Sequence, residues 1–192
     1  DLFEQQHIID KDKSSLVNGS GVDLAHYIAT PLPPGKDVIF LTIGRLLGAK
    51  GFREFAEAAR IVKARYPETV FRLVGPTDPS PDGISLVDVE EWQNAGVIKY
   101  LGETNDVRPF IADCHVYVLP SYHEGMPRTV LEAMATGRPI LTTDVPGCRE
   151  TVVPERNGFL VPKADAGVLA DRMIWFIENR DKLDRMGQYS RR

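Results

Sequence analysis

Short apolar runs alternate with longer stretches of helical periodicity along most of the chain, and this alternation constrains its fold most strongly. The runs are short and rich in β-branched or aromatic residues, and they cover residues 38–43, 70–74, 97–101, 115–119, 139–143 and 158–161. Residues 52–66, 106–114, 128–136 and 164–177 are predicted to be helices, with a weaker one over 84–95. Strands that alternate with helices indicate a parallel sheet. We therefore predict an α/β domain with about six strands flanked by helices.

Residues 1–35 differ from the rest of the chain. They hold scattered polar residues, the run Asn18-Gly19-Ser20-Gly21 and a proline-rich cluster at residues 31–34. Such composition is typical of a linker. We therefore predict a leading segment over residues 1–35 and a domain over residues 36–192 that ends in helices.

The composition fits one globular domain and excludes several functional classes. Of the 192 residues, 43% are hydrophobic and 26% are charged, and the net charge of −4 argues against a general nucleic-acid surface. No apolar run approaches the roughly 18 residues of a membrane span, and the N-terminus lacks a charged-then-apolar signal. We expect a cytoplasmic location without a transmembrane segment. Cys114 and Cys148 form neither a metal set nor a disulfide framework, and we interpret both as reduced and structural.

The motif after the fourth apolar run places two carboxylates around a strand-to-helix turn. Residues 120–132 read P-S-Y-H-E-G-M-P-R-T-V-L-E, so that Glu124 and Glu132 bracket seven residues. Gly125 permits close approach of a ligand to the backbone, and Pro127 suits the first position of a helix. Glu132 lies among apolar residues, so it either forms an i,i+4 ion pair with Arg128 or serves a ligand. We interpret the turn as a binding site.

A second strand-to-helix loop, residues 44–51, combines glycines with two cations in the sequence G-R-L-L-G-A-K-G. Such a loop offers backbone N–H groups and a helix N-terminus to an anion, while Arg45 and Lys50 supply positive charge. The pattern is neither G-x-G-x-x-G nor G-x-x-x-x-G-K-[ST], and alone it is also compatible with a plain turn. Together with the two carboxylates it indicates a diphosphate site.

These motifs resemble the nucleotide-sugar domain of family 4 retaining glycosyltransferases, which have the GT-B fold. The resemblance spans roughly residues 15–180 and rests on motifs in the expected order: Gly44-Arg45 with Lys50-Gly51, Pro120-Ser121, Glu124 with Glu132, Gly137-Arg138-Pro139, and N-G-F-L-V at residues 157–161. It implies a Rossmann-like donor domain, one half of a GT-B fold. It also implies an N-terminal acceptor domain upstream, without which this fragment would be inactive.

The resemblance further implies roles for single residues. Arg45 and Lys50 would hold the diphosphate and stabilise the charge that develops as the sugar leaves, and Glu124 would contact the transferred sugar; these three are the candidate catalytic residues. Glu132 would bind the ribose. The other candidate donor-binding residues lie in the same loops or follow other strand ends: Gly44, Gly75, Leu101, Asn105, Gly125, Met126 and Pro127.

We expect no cofactor and no metal. Asp10-Lys11-Asp12 is the only closely spaced aspartate pair, and it is more typical of a solvated charge cluster. His123 adjoins the site, but a lone histidine beside a motif is more often structural than catalytic.

The hypothesis from sequence is therefore a retaining glycosyltransferase that transfers a hexose or N-acetylhexosamine from a nucleoside-diphosphate sugar, with UDP as the first choice. The acceptor would be a saccharide or a lipid-linked saccharide in bacterial surface-polysaccharide assembly, which is compatible with peripheral location at the inner membrane face. A sugar-nucleotide epimerase of related fold and a non-catalytic nucleotide-sugar-binding module remain alternatives. The residues do not decide between a same-face and a double-displacement mechanism.

Overall fold

The centre of the molecule is a parallel sheet, as seen in a computed structural model that describes Gly19 and residues 21–192. Its six strands are β1 Ile39–Ile43, β2 Val70–Val74, β3 Lys99–Tyr100, β4 Val116–Leu119, β5 Ile140–Thr143 and β6 Gly158–Val161. Every neighbouring pair is parallel, and the order across the sheet is β3-β2-β1-β4-β5-β6. The predicted α/β, Rossmann-like fold is confirmed.

Helices cover both faces of this sheet. They are α1 Phe52–Arg65, α2 Leu86–Asn94, α3 Arg108–Ala112, α4 Arg128–Ala135, α5 Ala166–Glu178 and α6 Leu183–Ser190, with 3₁₀ turns at Gly48–Lys50, Arg149–Thr151 and Arg180–Lys182. Phe40 packs with α1 and α5 on one face, whereas its neighbour Leu41 belongs to the core on the other face with Val130 of α4. Strands buried on both faces read as continuous apolar runs, which is why the sequence revealed them. None of the helices described has the length and apolarity to cross a membrane.

The strand order reverses between β1 and β4, and in open α/β sheets such a reversal leaves a crevice at the carboxyl ends of the two strands. The chain moves from β1 outward to β2 and β3, then returns to β4 and continues in the opposite direction. Open α/β sheets bind ligands at such a switch point. The two loops singled out from sequence, residues 44–51 and 120–127, follow β1 and β4 and therefore flank this crevice.

Several predicted elements differ in extent from the structure, and hydrogen bonds account for the difference in three of them. The edge strand β3 is shorter than residues 97–101, because the N–H groups of Val97 and Ile98 donate to the Trp92 carbonyl at the end of α2. Helix α3 is shorter than residues 106–114, because the carboxylate of Asp106 accepts the Arg108 N–H and begins the helix there. The last long helix begins at Ala166, after Asp165 caps its N-terminus.

Residues 21–35 form neither helix nor strand, and two arginines attach them to the domain. The guanidinium of Arg138 donates to the carbonyls of Thr30 and Pro31, and that of Arg191 donates to the Leu24 carbonyl. The boundary at residue 35 stays a prediction. Asn18 and the residues before it, including Asp10-Lys11-Asp12, lie outside the described part of the chain.

Candidate functional site

The loops after β1 and β4 contact each other directly across the crevice. The Tyr122 N–H donates to the Ala49 carbonyl at 2.8 Å, and the Ser121 hydroxyl donates to the same oxygen at 3.2 Å. Gly51 has φ +72°, and a Cβ there would lie 2.0 Å from the Pro120 carbonyl oxygen. Only glycine fits this left-handed position at this close approach. The two loops are therefore in direct backbone contact.

Lys50 and Glu124 form an ion pair between the two loops. Lys50 Nζ lies 2.6 Å from Glu124 Oε1, and the side chains are 26% and 11% exposed. Pairing at this partly buried position fixes both side chains over the switch point. Two of the three candidate catalytic residues are therefore in contact with each other.

Arg45, the third candidate catalytic residue, pairs with a carboxylate that the sequence motifs did not include. Its Nη1 lies 2.8 Å from Asp78 Oδ2; the Arg45 side chain is 66% exposed, whereas that of Asp78 is 8% exposed. Hydrogen bonds from Ser80, followed by the charge of Arg45, lower the pKa of Asp78. The guanidinium therefore has a fixed anchor on one side and solvent on the other.

The backbone of the loop at residues 44–51 does not offer its N–H groups to an anion as predicted. Most are bonded within the protein: those of Gly44, Leu46, Leu47, Gly48, Ala49, Lys50 and Gly51 all donate to described residues. Because a bonded N–H is not available to a ligand, the prediction of a backbone anion cradle is wrong for these groups. The side chains of Arg45 and Lys50 remain as the anion-binding groups of this loop.

Glu132 lies on α4, and its residue is buried, with 8% of its surface exposed. Burial raises the pKa of its carboxyl group above 4.5, and interaction with Tyr27 partly offsets the rise. Burial and the neighbouring Glu132 in turn raise the pKa of Tyr27 to about 12. The alternative of an ion pair between Glu132 and Arg128 is wrong, because these two side chains do not come within 4.0 Å. A buried carboxylate with no ion-pair partner within 4.0 Å among the described residues suits a ligand's hydroxyl groups.

The turn at Gly125 and Met126 is open toward the crevice and supported from below. A Cβ on Gly125 would meet nothing within 4 Å, and none of the described residues accepts the N–H of Gly125 or Met126. Gly147, in the loop after β5, lies beneath the turn, since a Cβ there would be 2.2 Å from the Gly125 carbonyl oxygen. Pro127 is the N-cap of α4 and not its first helical residue as predicted.

The remaining predicted residues lie at the carboxyl edge with different surroundings. Gly75 has φ +147°, and a Cβ there would be 1.8 Å from the Gly44 carbonyl oxygen, so these two glycines allow two loops to touch. Leu101 is half-buried and its N–H donates to Leu73, whereas Asn105 is exposed. His123 is exposed, and its carbonyl accepts the Ser121 hydroxyl.

Within residues 21–192, no group of three or more His, Cys, Asp or Glu side chains could hold a metal ion. Both cysteines are buried and unpaired, and burial raises the pKa of Cys114 to about 12. These thiols are therefore poor metal ligands and poor nucleophiles.

Sequence reasoning missed Asp78, Asp82, Gly147 and Tyr27. The two aspartates come from the turn-rich loop after β2, and their position after a strand end was the only signal available. Gly147 and Tyr27 reach the site from distant parts of the chain, so no local pattern marks them.

The comparison with protein families decides the classification. The model described as "Glycosyl transferases group 1" matches residues 26–192. The chain belongs to this glycosyltransferase family. The match covers the whole sheet, both loops of the crevice and the C-terminal helices.

Curated relatives in this family include enzymes with lipid-linked acceptors in their names. The chain is 36% identical over 144 residues to N,N'-diacetylbacillosaminyl-diphospho-undecaprenol alpha-1,3-N-acetylgalactosaminyltransferase of Campylobacter jejuni, which covers 75% of the chain and 36% of the relative. It is 34% identical over 143 residues to UDP-Gal:alpha-D-GlcNAc-diphosphoundecaprenol alpha-1,3-galactosyltransferase of Escherichia coli, covering 71% and 35%. The chain thus spans little more than a third of the length of these relatives.

Solved structures show the same fold. A glycosyltransferase from Rickettsia africae matches with a TM-score of 0.79 and 21% identity, covering 99% of this chain and 55% of that one. The C-terminal domain of a glycosyl transferase group 1 protein (LpcC) from Francisella tularensis matches with a TM-score of 0.75 and 24% identity, covering 89% and 95%. The latter is a domain of this fold crystallised by itself.

Proposed function

We propose that the crevice between β1 and β4 binds a nucleoside-diphosphate sugar, and that the chain is the donor-binding part of a retaining glycosyltransferase. The observation that carries this proposal is the Lys50–Glu124 ion pair between the loops after β1 and β4, with Arg45 in the same loop as Lys50. Two cations and a carboxylate beside an open glycine turn match a ligand with a diphosphate at one end and hydroxyl groups at the other.

In this proposal the two cations act on the diphosphate. Arg45 presents its solvent-facing side to phosphate oxygens, and Lys50 adds a charge at the position where the sugar departs. Cations already in place when negative charge develops stabilise the transition state without reorganisation. Because the side chains supply this charge, the diphosphate needs no metal ion.

Glu124 and Lys50 exchange partners when the donor binds. The two side chains form an ion pair at 2.6 Å. A diphosphate, with its higher charge, attracts the Lys50 ammonium, and the Glu124 carboxylate then accepts hydrogen bonds from sugar hydroxyls. Glu132 accepts the ribose hydroxyls, for which its partly buried carboxylate is suited. Gly125 and Met126 offer their N–H groups to the sugar end of the donor.

The names of the relatives support the finer assignments. One names UDP-Gal as donor, two name diphosphoundecaprenol-type acceptors, and both specify alpha-1,3 linkages. We propose UDP-hexose or UDP-N-acetylhexosamine as donor, and a lipid-linked saccharide in surface-polysaccharide assembly as acceptor. A lipid-linked acceptor would bring the full-length protein to a membrane surface, with the acceptor bound by a domain outside this chain.

Calorimetric titration of the 192-residue chain tests the proposal. The titrants are UDP, GDP and a panel of UDP-sugars, each with and without chelator. The expected result is binding of one nucleotide that chelator does not weaken and that one sugar strengthens. Absence of binding by every nucleotide would contradict the proposed donor site. Transfer to an added acceptor by a full-length protein would exclude the epimerase alternative.

A further inference from the structure

The loop between β2 and α2, residues 76–85, runs alongside the β1–α1 loop and is joined to it at several points. The Leu46 N–H donates to Pro76, and the Ile84 N–H donates to Leu46, at 2.9 and 2.8 Å. An isolated parallel β-bridge connects Leu46 with Thr77, and an isolated antiparallel β-bridge connects Leu47 with Gly83. A loop with this many bonds to its neighbour forms one rigid unit with it. The residues that carry Arg45 and Lys50 are therefore held from outside their own loop.

Within this loop, Asp82 is bonded to the two residues that precede Lys50. Its side-chain Oδ2 accepts the Ala49 N–H at 2.8 Å, and its main-chain carbonyl accepts the Gly48 N–H at 2.8 Å. Its other oxygen, Oδ1, lies 2.5 Å from the place where a Cβ on Gly48 would be, so the carboxylate rests against the Gly48 backbone. Two consecutive N–H groups of the loop are thus bonded to one residue.

These contacts replace the missing cap of a helical turn. Gly48–Lys50 is a 3₁₀ turn whose own N-cap residue, Leu47, provides no side-chain cap. The first N–H groups of such a turn need an external acceptor, which is normally a local Ser, Thr, Asp or Asn. Asp82 supplies this acceptor from 33 residues away. The turn ends at Lys50, whose side chain reaches Glu124 across the crevice.

We propose that Asp82 is a positioning residue for the diphosphate site: by capping the Gly48–Lys50 turn from the neighbouring loop, it fixes the direction of the Lys50 side chain. The proposal rests on the proposed donor site. Asp82 does not touch the donor, and it acts through the Ala49 N–H. The Asp78 contact to Arg45 shows that the same loop also anchors the other cation of the site.

Simple electrostatics and positioning predict opposite effects of removing this carboxylate. Asp82 is a negative charge close to a site for a doubly or triply charged anion, so neutralising it should strengthen UDP binding if charge alone matters. If Asp82 positions Lys50, loss of the acceptor should weaken UDP binding despite the favourable change in charge. Asp82→Asn separates the two, because an amide oxygen still accepts the Ala49 N–H while the charge is gone.

The test compares Asp82→Ala, Asp82→Asn and the control Glu90→Ala in the full 192-residue chain. Glu90 is an exposed carboxylate on α2 for which no described residue forms an ion pair. UDP and inorganic diphosphate are titrated by calorimetry. We expect Asp82→Ala to weaken both by about tenfold, which corresponds to 1.4 kcal/mol, because Lys50 is then no longer held in the direction of the diphosphate. Asp82→Asn and Glu90→Ala should bind within about twofold of wild type, or more tightly. Equal affinity of the two Asp82 variants would overturn the proposal.

Amide hydrogen exchange at Ala49 provides a second measurement that does not depend on the ligand. We expect faster exchange at Ala49 in Asp82→Ala and protection in Asp82→Asn, with global stability unchanged in both by thermal melting. An Ala49 amide that exchanges freely in the wild type would overturn the cap itself. If the wild type binds no nucleoside diphosphate while Ala49 is protected, the proposed function fails and the cap at Ala49 stands.

Discussion

Charged side chains have different surroundings at the two ends of the strands, which we call the amino edge and the carboxyl edge of the sheet. At the amino edge, just before β5, Arg138 is fully buried and donates to the carbonyls of Ile111, Ala112, Thr30 and Pro31 as well as to the Thr30 hydroxyl. At the carboxyl edge, Arg45 is 66% exposed and has one described carboxylate partner. A cation whose donors are all bonded to the protein serves the fold, whereas one with free donors is available to a ligand.

A second contrast concerns His115 and Glu132, whose pKa values are both shifted by burial. His115, before β4, accepts the Ile39 N–H on its Nδ1, and burial lowers its pKa to about 4, so it remains neutral in the fold. Burial raises the pKa of Glu132, and the interactions of the carboxylate with Tyr27 and Arg128 offset this rise only in part. His115 is therefore uncharged in the fold, whereas Glu132 is a buried carboxyl group whose ionisation opposes folding.

The largest expected effect is at the amino edge. Arg138→Ala removes the donors for several buried carbonyl groups, and we expect a loss of about 3 to 5 kcal/mol in the free energy of unfolding. For a chain of this size that corresponds to a fall in Tm of roughly 10 °C or more. Circular dichroism melting measures it. Arg60→Ala, at an exposed ion pair with Glu57, should change the stability by less than about 0.5 kcal/mol. A small effect of Arg138→Ala would remove the contrast between the edges.

The contact between the two crevice loops gives the next effect. Gly51→Ala places a Cβ against the Pro120 carbonyl in a left-handed conformation, and we expect a loss of roughly 3 kcal/mol from strain and overlap. Gly125→Ala is the matched control, because open space surrounds a Cβ there. It should leave the melting temperature nearly unchanged and weaken binding of UDP-sugars only. Similar stability losses in both variants would show that the turn at Gly125 is closed.

Arg45→Ala should affect binding and not stability. We expect UDP affinity to fall by about 1.5 to 3 kcal/mol, the usual contribution of hydrogen bonds to charged groups. The unfolding free energy should stay within about 0.5 kcal/mol, since the side chain is largely exposed. Calorimetry and thermal melting of the same sample measure both. Arg65→Ala, at a side chain 63% exposed at the far end of α1, is the control for loss of charge alone. Unchanged UDP affinity in Arg45→Ala would exclude Arg45 from the site.

Glu132→Gln should produce the smallest effect and depends on pH. The raised pKa means that the folded protein binds the proton of Glu132 more tightly than the unfolded chain does. Ionisation of Glu132 therefore destabilises the fold at pH values above the raised pKa, and this cost is absent at pH values well below 4.5. The variant should therefore be more stable than wild type at pH 7, and this gain should disappear as the pH falls toward 4.5. UDP should bind about 1 kcal/mol more weakly, with inorganic diphosphate unaffected. Equal weakening of both ligands would mean that Glu132 supports α4 and does not touch ribose.

The sequence revealed those parts of the molecule that depend on local pattern. Apolar runs such as residues 38–43 and 70–74 identified strands because both faces of the sheet are covered. The predicted extents of β3 and α3 were wrong because hydrogen bonds to the Trp92 carbonyl and to the Asp106 carboxylate decide where these elements begin. Such bonds join residues whose identities give no periodic signal.

The side chains of the site were predicted from sequence, but the residues that hold them in position were not. Arg45, Lys50, Glu124 and Glu132 stand in recognisable motifs at strand ends. Asp82 acts across 33 residues on a backbone N–H that the motif suggested would be free. The prediction of a backbone anion cradle failed for this reason: sequence shows which N–H groups exist, but only the folded chain shows which are already bonded.

The most direct test of the account is an NMR titration of the 15N-labelled chain with UDP, which reports on both edges at once. We predict chemical-shift changes at the amides of Arg45, Lys50, Gly125, Met126 and Glu132, with saturation, and no change at Thr30, His115 or Arg138. Saturable changes centred on the amino edge, or none at the carboxyl edge, would contradict the assignment of the crevice between β1 and β4 as the donor site.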